Sequence, residues 1–359
     1  KKIKFDNKII NIMLFNEIIK NTIVTSHNNT SNTSNSNYPI IGTHDGTFHC
    51  DESLAISLLK LLPQYEHSII IRTRKQDLLN TCNIVVDVGA IYNPDTLRFD
   101  HHQREFTDTL DGYETKLSSA GLVYKHFGKD IIRNILTKGG EFDERLIDIC
   151  YVKLYKGFIE HIDAIDNGIS VSDGPIKYNI STTLSNRVGY LNPQWNEPQT
   201  PEILNERFLK AMELTGTEFI ERVNSLAYSW WPARSIIENA IKHRFEVHPS
   251  GKIIILEHFC PWKEHLFEIE VEENCSGEIL YALYEDTSGG WRIQAVPVDS
   301  TSFDSRKKLP SVWCGIRDEA LSALVGIDGA VFVHAAGFIG GHRTKEGALS
   351  MAIQALDLV

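Results

Sequence analysis

The sequence predicts an α/β protein with an N-terminal domain on a mainly parallel sheet and a smaller C-terminal α/β domain with a mixed sheet. In the first half, short apolar stretches typical of buried strands alternate with stretches whose apolar residues recur at helical spacing. Strands separated by helices favour a parallel sheet that is covered on both faces. The 359 residues suffice for two domains of ordinary size, each with its own core.

The first domain is expected over residues 38–185. Its predicted strands are the stretches PIIGTH, HSIIIRT, NIVVDVG and RFDHHQ. Helices are expected from Glu52 to Leu62, where Pro63 stops the helix, from Ser118 to Phe127 and from Asp143 to His161.

Residues 1–37 are expected to form a disordered leader, because they combine lysines with the tract HNNTSNTSNSN and lack the periodicity of a packed element. Five lysines against Asp6 and Glu17 give this segment a charge of about +3, which favours a targeting segment. The absence of arginine counts against that interpretation.

Residues 186–242 are expected to form a linker followed by helices. The stretch NRVGYLNPQWNEPQT is rich in Asn and Pro, and amphipathic helices follow from Pro201 to about Lys242. The C-terminal domain then covers residues 243–359, with strands at KIIILE, ILYALYE, WRIQAVPV and AVFVHAAG and a helix from Thr344 to Leu356.

The composition restricts the function. A net charge of −11 argues against a broad basic face for nucleic acid, so any such contact is expected to be local. No apolar run approaches the roughly 20 residues that a membrane span needs, so no membrane partner is expected. The six cysteines are scattered without a CxxC pair, which is typical of a protein from a reducing, intracellular compartment.

Two motifs place polar groups at predicted strand ends. GTHDGTFHCDE follows a strand and opens a helix, so His44, His49 and Asp51 lie in a loop at the carboxyl end of a sheet strand, where ligands bind in open α/β folds. The alternative is a capped helix start with solvated histidines. In VVDVG, Asp87 ends a buried strand and needs a cation or several donors, or else caps the next turn.

Two further motifs supply candidate ligands. RFDHHQ places Asp100, His101 and His102 at the end of a short strand, where alternation turns Asp100 and His102 to one side and His101 to the other. One histidine can therefore bind metal while its neighbour faces substrate. EHIDAIDNG places Asp163 and Asp166 on one helical face, where either could complete a metal site or both could belong to an acidic helix end.

The C-terminal motif GFIGGHRTKEGA is expected to form a loop between a strand and a helix. Free backbone N–H groups at Gly340 and Gly341, together with His342 and Arg343, would form a phosphate seat at the helix N-terminus. The alternative is a tight turn with an incidental arginine. Arg187 in the predicted linker is a further candidate phosphate contact, although a solvated position is the favoured interpretation.

The ordered set of a His-rich loop, DVG, DHH and a later Asp resembles the DHH superfamily of phosphoesterases. The motifs GTHDGTFHCDE, DHHQ, EHIDAIDNG, PWK and VFVHAAGFIGGHRTKEGA resemble the melanocyte proliferating gene one family from about Ile40 to the C-terminus. This resemblance implies a DHH-like first domain with two ions of Mn²⁺ or Mg²⁺. The implied metal ligands are His44, His49, Asp51, a bridging Asp87, His101 and one of Asp163 or Asp166.

The resemblance also implies that His102 lies near the phosphate. In the commoner superfamily loop a carboxylate stands where this chain has His49, and the spacing from His44 is longer here by one residue, so a softer metal than Mg²⁺ is a further possibility.

The resulting expectation is a metal-dependent phosphodiester hydrolase in which two ions activate a water, with His102, Asp87 and Asp100 as catalytic residues and the active site between the domains. The resemblance implies a 3′–5′ RNA exonuclease of the nucleus and mitochondrion, with the cytoplasm as another location. The alternatives are a hydrolase of small phosphate compounds such as pyrophosphate or short oligonucleotides, and a nucleotide- or RNA-binding protein without turnover.

Overall fold

The computed structural model describes residues 2–26 and 38–358. The protein is an α/β protein with two sheets, one of them mostly parallel, as the sequence predicted. The chain divides into two compact units, Lys1–Tyr228 and Ser229–Val359. The division falls inside the stretch 186–242 that the sequence predicts as linker and helices. Within the described residues, no helix is both long and apolar enough to span a membrane.

The first unit contains a six-stranded sheet and eight helices among the described residues. The strands are β1 Val24–Ser26, β2 Ile40–Thr43, β3 Ile69–Arg72, β4 Ile84–Val86, β5 Tyr92–Asn93 and β6 Arg98–Phe99. The helices are α1 Lys2–Lys20, α2 Cys50–Lys60, α3 Gln76–Leu79, α4 Ser119–Lys138, α5 Arg145–Leu154, α6 Glu160–Asp166, α7 Leu184–Gly189 and α8 Pro201–Ser225. A π-helical turn at Tyr155–Ile159 joins α5 to α6.

The strand order is β1-β3-β2-β4-β6-β5, and every neighbouring pair is parallel except β5 with β6. The carboxyl ends of β2, β4 and β6 therefore lie side by side at one edge of the sheet. The β3 and β4 residues are all buried, which explains why residues 69–71 of β3 and the whole of β4 are continuously apolar rather than alternating. Helix α2 follows β2, is buried along its whole length and packs against α4 and α8.

The N-terminal segment differs from the expected disordered leader. The described part forms α1 and β1, and β1 pairs with β3 at the edge of the sheet. Phe15 and Ile19 are buried, and the ring of Phe15 occupies the space that a side chain at Gly216 of α8 would take. Asn11 donates to the carbonyl oxygen of Ile135. These partners are distant in sequence, so local patterns do not indicate them. The tract 27–37 lies outside the described residues.

The second unit has a mixed five-stranded sheet of order β10-β11-β9-β8-β7, in which only β7 and β8 are parallel. Its strands are β7 Ile253–Ile255, β8 Tyr281–Glu285, β9 Trp291–Ala295, β10 Ala330–Val333 and β11 Ile339–His342. Its helices are α9 Trp231–Lys242, α10 Arg244–Val247, α11 Lys263–Glu272, α12 Asp318–Val325 and α13 Lys345–Asp357. Two apolar cores form within this unit, one of which includes residues of α9 and α11 and the other residues of α12 and α13.

Candidate metal centre

The carboxyl ends of three neighbouring parallel strands carry the polar residues of the site. His44 follows β2, Asp87 follows β4, and Asp100, His101 and His102 follow β6. The Nε2 atom of His44 lies 3.4 Å from Asp87 Oδ2, and the Nε2 atom of His101 lies 3.5 Å from Asp87 Oδ1. Residues from three separate strands thus meet at one carboxylate, at the sheet edge where open α/β folds bind ligands.

Asp87 adopts a backbone conformation that is rare for a residue with a side chain. Its φ is +56°, in the left-handed region, which costs about 1–3 kcal/mol for a non-glycine residue. The Ser119 hydroxyl, at the start of α4, donates to Asp87 Oδ1 at 3.2 Å. The strained turn points the carboxylate back toward the strand ends, where both histidines contact it.

The start of α2 adds a carboxylate that the sequence did not indicate as a ligand. Glu52 accepts hydrogen bonds from the backbone N–H of His49 at 2.9 and 3.0 Å, which is half of a capping box. Its Oε1 atom also lies 3.0 Å from His44 Nε2, and the side chain is fully buried. A glutamate three residues after an N-cap position is a signal for a cap, but His49 stands where Ser or Thr is usual, and the contact with His44 depends on the fold.

Asp51 is a buried carboxylate without hydrogen-bond donors. It is 1% exposed, and neither oxygen accepts a hydrogen bond from a described residue. Burial, and then the negative charges of Asp87 and Asp166, hold the pKa of this carboxyl well above its usual range. A buried carboxylate among other carboxylates is costly unless a cation offsets its charge.

The structure separates the two aspartates of α6. Asp166 Oδ2 lies 3.0 Å from His101 Nε2, and its side chain is partly exposed. Asp163 points elsewhere: its Oδ1 atom accepts hydrogen bonds from the Ser118 N–H and hydroxyl and from the Gly121 N–H at 2.7–3.1 Å. Burial raises the pKa of Asp163 to about 7, against the hydrogen bonds from Ser118. Asp163 therefore anchors the start of α4, and Asp166 lies among the candidate ligands.

Three groups of side chains within the described residues could each hold a cation. The ligand atoms of each group lie within 4.8 Å of one another. The first two groups share Asp87, and the last two share His101. Imidazole nitrogens and carboxylate oxygens suit Mn²⁺ and similar divalent ions better than Mg²⁺, which prefers oxygen ligands alone. The groups are His44, His49, Glu52 and Asp87; Asp87, His101 and His102; and Asp51, His101 and Asp166.

The buried histidines are basic in the absence of a cation. Burial alone would lower the pKa of His44, but hydrogen bonds to Asp87 and Glu52 outweigh burial and raise it to about 10. Burial would likewise lower the pKa of His101, but contacts with Asp166 and Asp87 outweigh burial and raise it to about 9. The same contacts overcome burial and hold the pKa of Asp87 below its usual range. Protonated imidazoles thus balance the carboxylates when no cation is bound.

His102 is the exposed member of the histidine pair. Its side chain is 60% exposed, whereas that of His101 is 4% exposed. The Nδ1 atom of His102 lies 2.7 Å from Asp100 Oδ1, and this hydrogen bond is the main cause of its raised pKa. Asp100 is itself held by the Ala90 N–H at 2.6 Å. Asp100 therefore fixes the ring and leaves Nε2 directed away from that contact.

His44, His49, Asp51, Asp87, Asp100, His102 and Asp166 line a pocket of about 690 Å³ whose described lining belongs to the first unit. The pocket has the volume of a typical small-ligand site. Apolar side chains of Phe48, Ile162 and Ile165 line it together with the polar groups. Arg187, a predicted phosphate contact, lies on α7, and its Nη1 atom donates to Glu218 at 2.8 Å.

The expected GGHR loop is largely a strand. Gly340, Gly341 and His342 form β11, which is paired with β9 on one side and β10 on the other, so the expected row of free backbone N–H groups is absent from this described segment. A side chain at Gly341 would collide with Arg292 and with the Phe332 ring, which explains this glycine by packing.

His342 is also structural. Its ring is 1% exposed; Nε2 lies 3.0 Å from the Asp328 carbonyl oxygen, and Nδ1 accepts from the Thr344 N–H at 3.0 Å. Both ring nitrogens are therefore occupied, contrary to the prediction that this residue contacts phosphate. Arg343 alone of the four is exposed. The prediction of a loop at these residues was wrong because two adjacent glycines are rare in strands, and only the neighbouring strands reveal the pairing.

Comparison with known proteins identifies close relatives across eukaryotes. Residues 40–356 match the model MYG1_exonuc of an uncharacterised protein family, UPF0160. The MYG1 protein C27H6.8 of Caenorhabditis elegans is 51% identical over 328 residues, which cover 89% of this chain and 95% of that protein. The MYG1 exonuclease of Homo sapiens is 49% identical over 322 residues, which cover 88% of this chain and 85% of that protein.

Among solved structures, the chain matches a pGpG-specific phosphodiesterase, PggH, of Vibrio. The match covers 88% of this chain and 99% of that one, at 14% sequence identity and a TM-score of 0.28. A similarity of this degree supports no conclusion about the site.

Proposed function

We propose that this chain, which belongs to the UPF0160 family, hydrolyses phosphodiester bonds with divalent cations and removes nucleotides from RNA as an exonuclease. The name of the human relative, MYG1 exonuclease, supports the reaction class. The 3′–5′ direction, the RNA substrate, and action in the nucleus and mitochondrion follow from the family resemblance of the motifs and are part of the proposal.

The observation that carries the proposal is that the three candidate ligand groups are connected. Asp87 belongs to two of them and His101 to two, so cations in neighbouring groups would share a ligand. Sites that hold two cations close together are typical of phosphatases and nucleases. The Asp51 carboxylate, buried without a donor, is a second indication that a cation belongs here.

Bound divalent cations would lower the pKa of a water and offset negative charge on the phosphoryl group. Asp87 would bridge them, and His44, His49, Glu52, Asp51, His101 and Asp166 would complete their coordination. His102, exposed and oriented by Asp100, would donate a hydrogen bond from Nε2 to a phosphoryl oxygen. Apolar pocket residues would contact the ribose or base and limit the access of bulk solvent to the reacting phosphate.

The experiment that tests the proposal follows a 5′-labelled single-stranded RNA incubated with the protein and Mn²⁺. A ladder that shortens from the 3′ end supports the exonuclease, and removal of Mn²⁺ by EDTA should stop it. Hydrolysis confined to pyrophosphate or dinucleotides would instead identify a hydrolase of small phosphate compounds. Metal and RNA binding without any hydrolysis would identify a binding protein.

Variants link the reaction to the site. Asp87→Asn and His101→Asn should each abolish hydrolysis, and the asparagine at 87 also tolerates the left-handed conformation. His161→Asn is the matched control, because His161 is exposed on α6 near Asp166 and belongs to none of the ligand groups. Full activity in Asp87→Asn would refute the assignment of the site.

A further inference from the structure

Arg74 is the only lysine or arginine among the described residues that line the pocket. Resting on the function proposed above, we propose that Arg74 is the substrate-binding residue that holds a non-bridging oxygen of the substrate's phosphate. No sequence motif indicated this role, because Arg74 follows β3, a strand whose end carries no recognisable ligand pattern.

The position of Arg74 follows from the sheet. Strand β3 pairs with β2 in parallel register, Arg72 opposite Thr43, so the residues after the two strands emerge next to each other. The Thr73 N–H donates to the Thr43 carbonyl oxygen at 2.7 Å, which extends the pairing by one residue. Arg74 Nη2 then lies 3.3 Å from His44 Nδ1. The backbone is thus fixed beside a candidate ligand, while the long side chain reaches the pocket.

The existing ion pair of the Arg74 guanidinium is weak. Arg74 Nε lies 3.4 Å from Asp45 Oδ1, and the two side chains are 65% and 39% exposed. Ion pairs this exposed contribute about 0–1 kcal/mol. His44 Nδ1 lies 3.0 Å from the Asp45 carbonyl oxygen, so its N–H donates there when Nε2 serves as a ligand. Nδ1 then offers Arg74 no acceptor, and the guanidinium can exchange Asp45 for a phosphate at little cost.

The chemistry of the pocket favours this exchange. Asp51, Asp87, Asp100 and Asp166 line it, and Arg74 is the one lysine or arginine beside them in the described lining. A guanidinium supplies a permanent positive charge and two parallel N–H groups that match two phosphate oxygens. Among the charged residues of the described lining, Arg74 combines this donor geometry with a side chain long enough to adjust to the position of a bound phosphate.

The test compares Arg74→Gln and Arg74→Lys with Lys75→Gln. Lys75 is the matched control, because it is the next residue, carries the same charge and is exposed, but does not line the pocket. Loss of a charge-assisted hydrogen bond predicts that Arg74→Gln lowers kcat/KM for single-stranded RNA by about 10- to 100-fold, mostly through KM. Arg74→Lys should retain part of the activity, Lys75→Gln should change it less than about twofold, and all three should keep the wild-type affinity for Mn²⁺.

A second variant tests the competition with Asp45. Asp45→Asn should lower KM in the wild-type background and should have a smaller effect when Arg74 is already Gln, because the freed guanidinium is then absent. Equal effects in both backgrounds would mean that Asp45 acts only through its charge, and would overturn the exchange. An unchanged KM in Arg74→Gln, or a parallel loss of Mn²⁺ affinity, would overturn the assignment itself.

Binding of inorganic phosphate to the Mn²⁺-loaded protein separates this inference from the proposed function. Weaker phosphate binding in Arg74→Gln, with no hydrolysis of any phosphodiester by the wild type, would reject the function and retain the role of Arg74. Normal RNA hydrolysis with equal phosphate affinity in wild type and Arg74→Gln would retain the function and reject the role.

Discussion

Replacing Asp51 by asparagine is expected to stabilise the metal-free protein and to weaken its response to divalent cations. Both carboxylate oxygens are buried without donors, close to Asp87 and Asp166. Asparagine leaves a polar group at this position but removes the charge, and removing an uncompensated buried charge raises the free energy of unfolding by about 1–3 kcal/mol. For a unit of this size, each kcal/mol corresponds to a rise of about 2–4 °C in the melting temperature.

The assay is thermal unfolding of wild type and Asp51→Asn in EDTA and in Mn²⁺. In EDTA the first transition of the variant should lie higher than that of the wild type. In Mn²⁺ at a hundred times its Kd, the wild type should gain about 2.7 kcal/mol, because the ion binds only the folded state. The variant should gain much less, because the amide carries no negative charge for the ion.

Asp163→Asn is the control for this experiment. It also removes a buried carboxylate charge, but the amide oxygen can still accept from Ser118 and Gly121, and Asp163 belongs to none of the ligand groups. Its Mn²⁺ increment should equal that of the wild type. Retention of the full Mn²⁺ increment by Asp51→Asn, or a lower melting temperature than that of the wild type in EDTA, would contradict an uncompensated carboxylate at Asp51.

The remaining predictions concern pH, turnover and packing. The pKa values of His44 and His101, about 10 and about 9, lie above the usual 6.5, so protonation of these histidines stabilises the folded, metal-free protein. This stabilisation should be present in full below pH 6.5 and be lost as the pH rises through 9–10. A free energy of unfolding in EDTA that does not change with pH would contradict this prediction. Mn²⁺ should displace those protons, which calorimetry in buffers of different ionisation enthalpy would detect. His102→Gln should lower kcat by about 10²–10³-fold. It should reduce the affinity for Mn²⁺ much less than Asp87→Asn does. A loss of Mn²⁺ affinity as large as that of Asp87→Asn would instead make His102 chiefly a metal ligand. Gly347→Ala should destabilise the second unit in urea by at least about 1–3 kcal/mol, because the new methyl group would collide with the His342 ring; wild-type stability would contradict that packing.

The strand ends of the first unit could be predicted because their sequence pattern is local. An apolar run followed by a polar group marks the end of a buried strand, and this placed His44, Asp87 and the pair His101 and His102 at one sheet edge. The choice between Asp163 and Asp166 could not be made in this way. Three residues apart on a helix, they share a face by spacing, and only the position of α4 separates their partners.

Features that depend on partners distant in sequence could not be predicted from the sequence. Helix α1 was expected to be disordered, because the residue that makes room for Phe15 is Gly216, far along the chain. Glu52 was overlooked as a ligand, because its capping role is local and its contact with His44 is not. The glycines of β11 favoured a loop, although pairing on both sides and the bulk of Phe332 make small residues necessary there.

The charges of the site explain how it can fold before it binds a metal. Two buried imidazoles, His44 and His101, take up protons and act as internal cations for Asp87, Glu52 and Asp166. Divalent ions must displace these protons, so part of the binding energy is used for deprotonation. Asp51 is poorly compensated in this arrangement, because neither of its oxygens accepts a hydrogen bond from a described residue and the nearby His101 contacts Asp87 and Asp166 instead. A cation bound near Asp51 therefore gains the most electrostatic free energy. For this reason Asp51→Asn is expected to be more stable than the wild type in EDTA but to gain less stability from Mn²⁺.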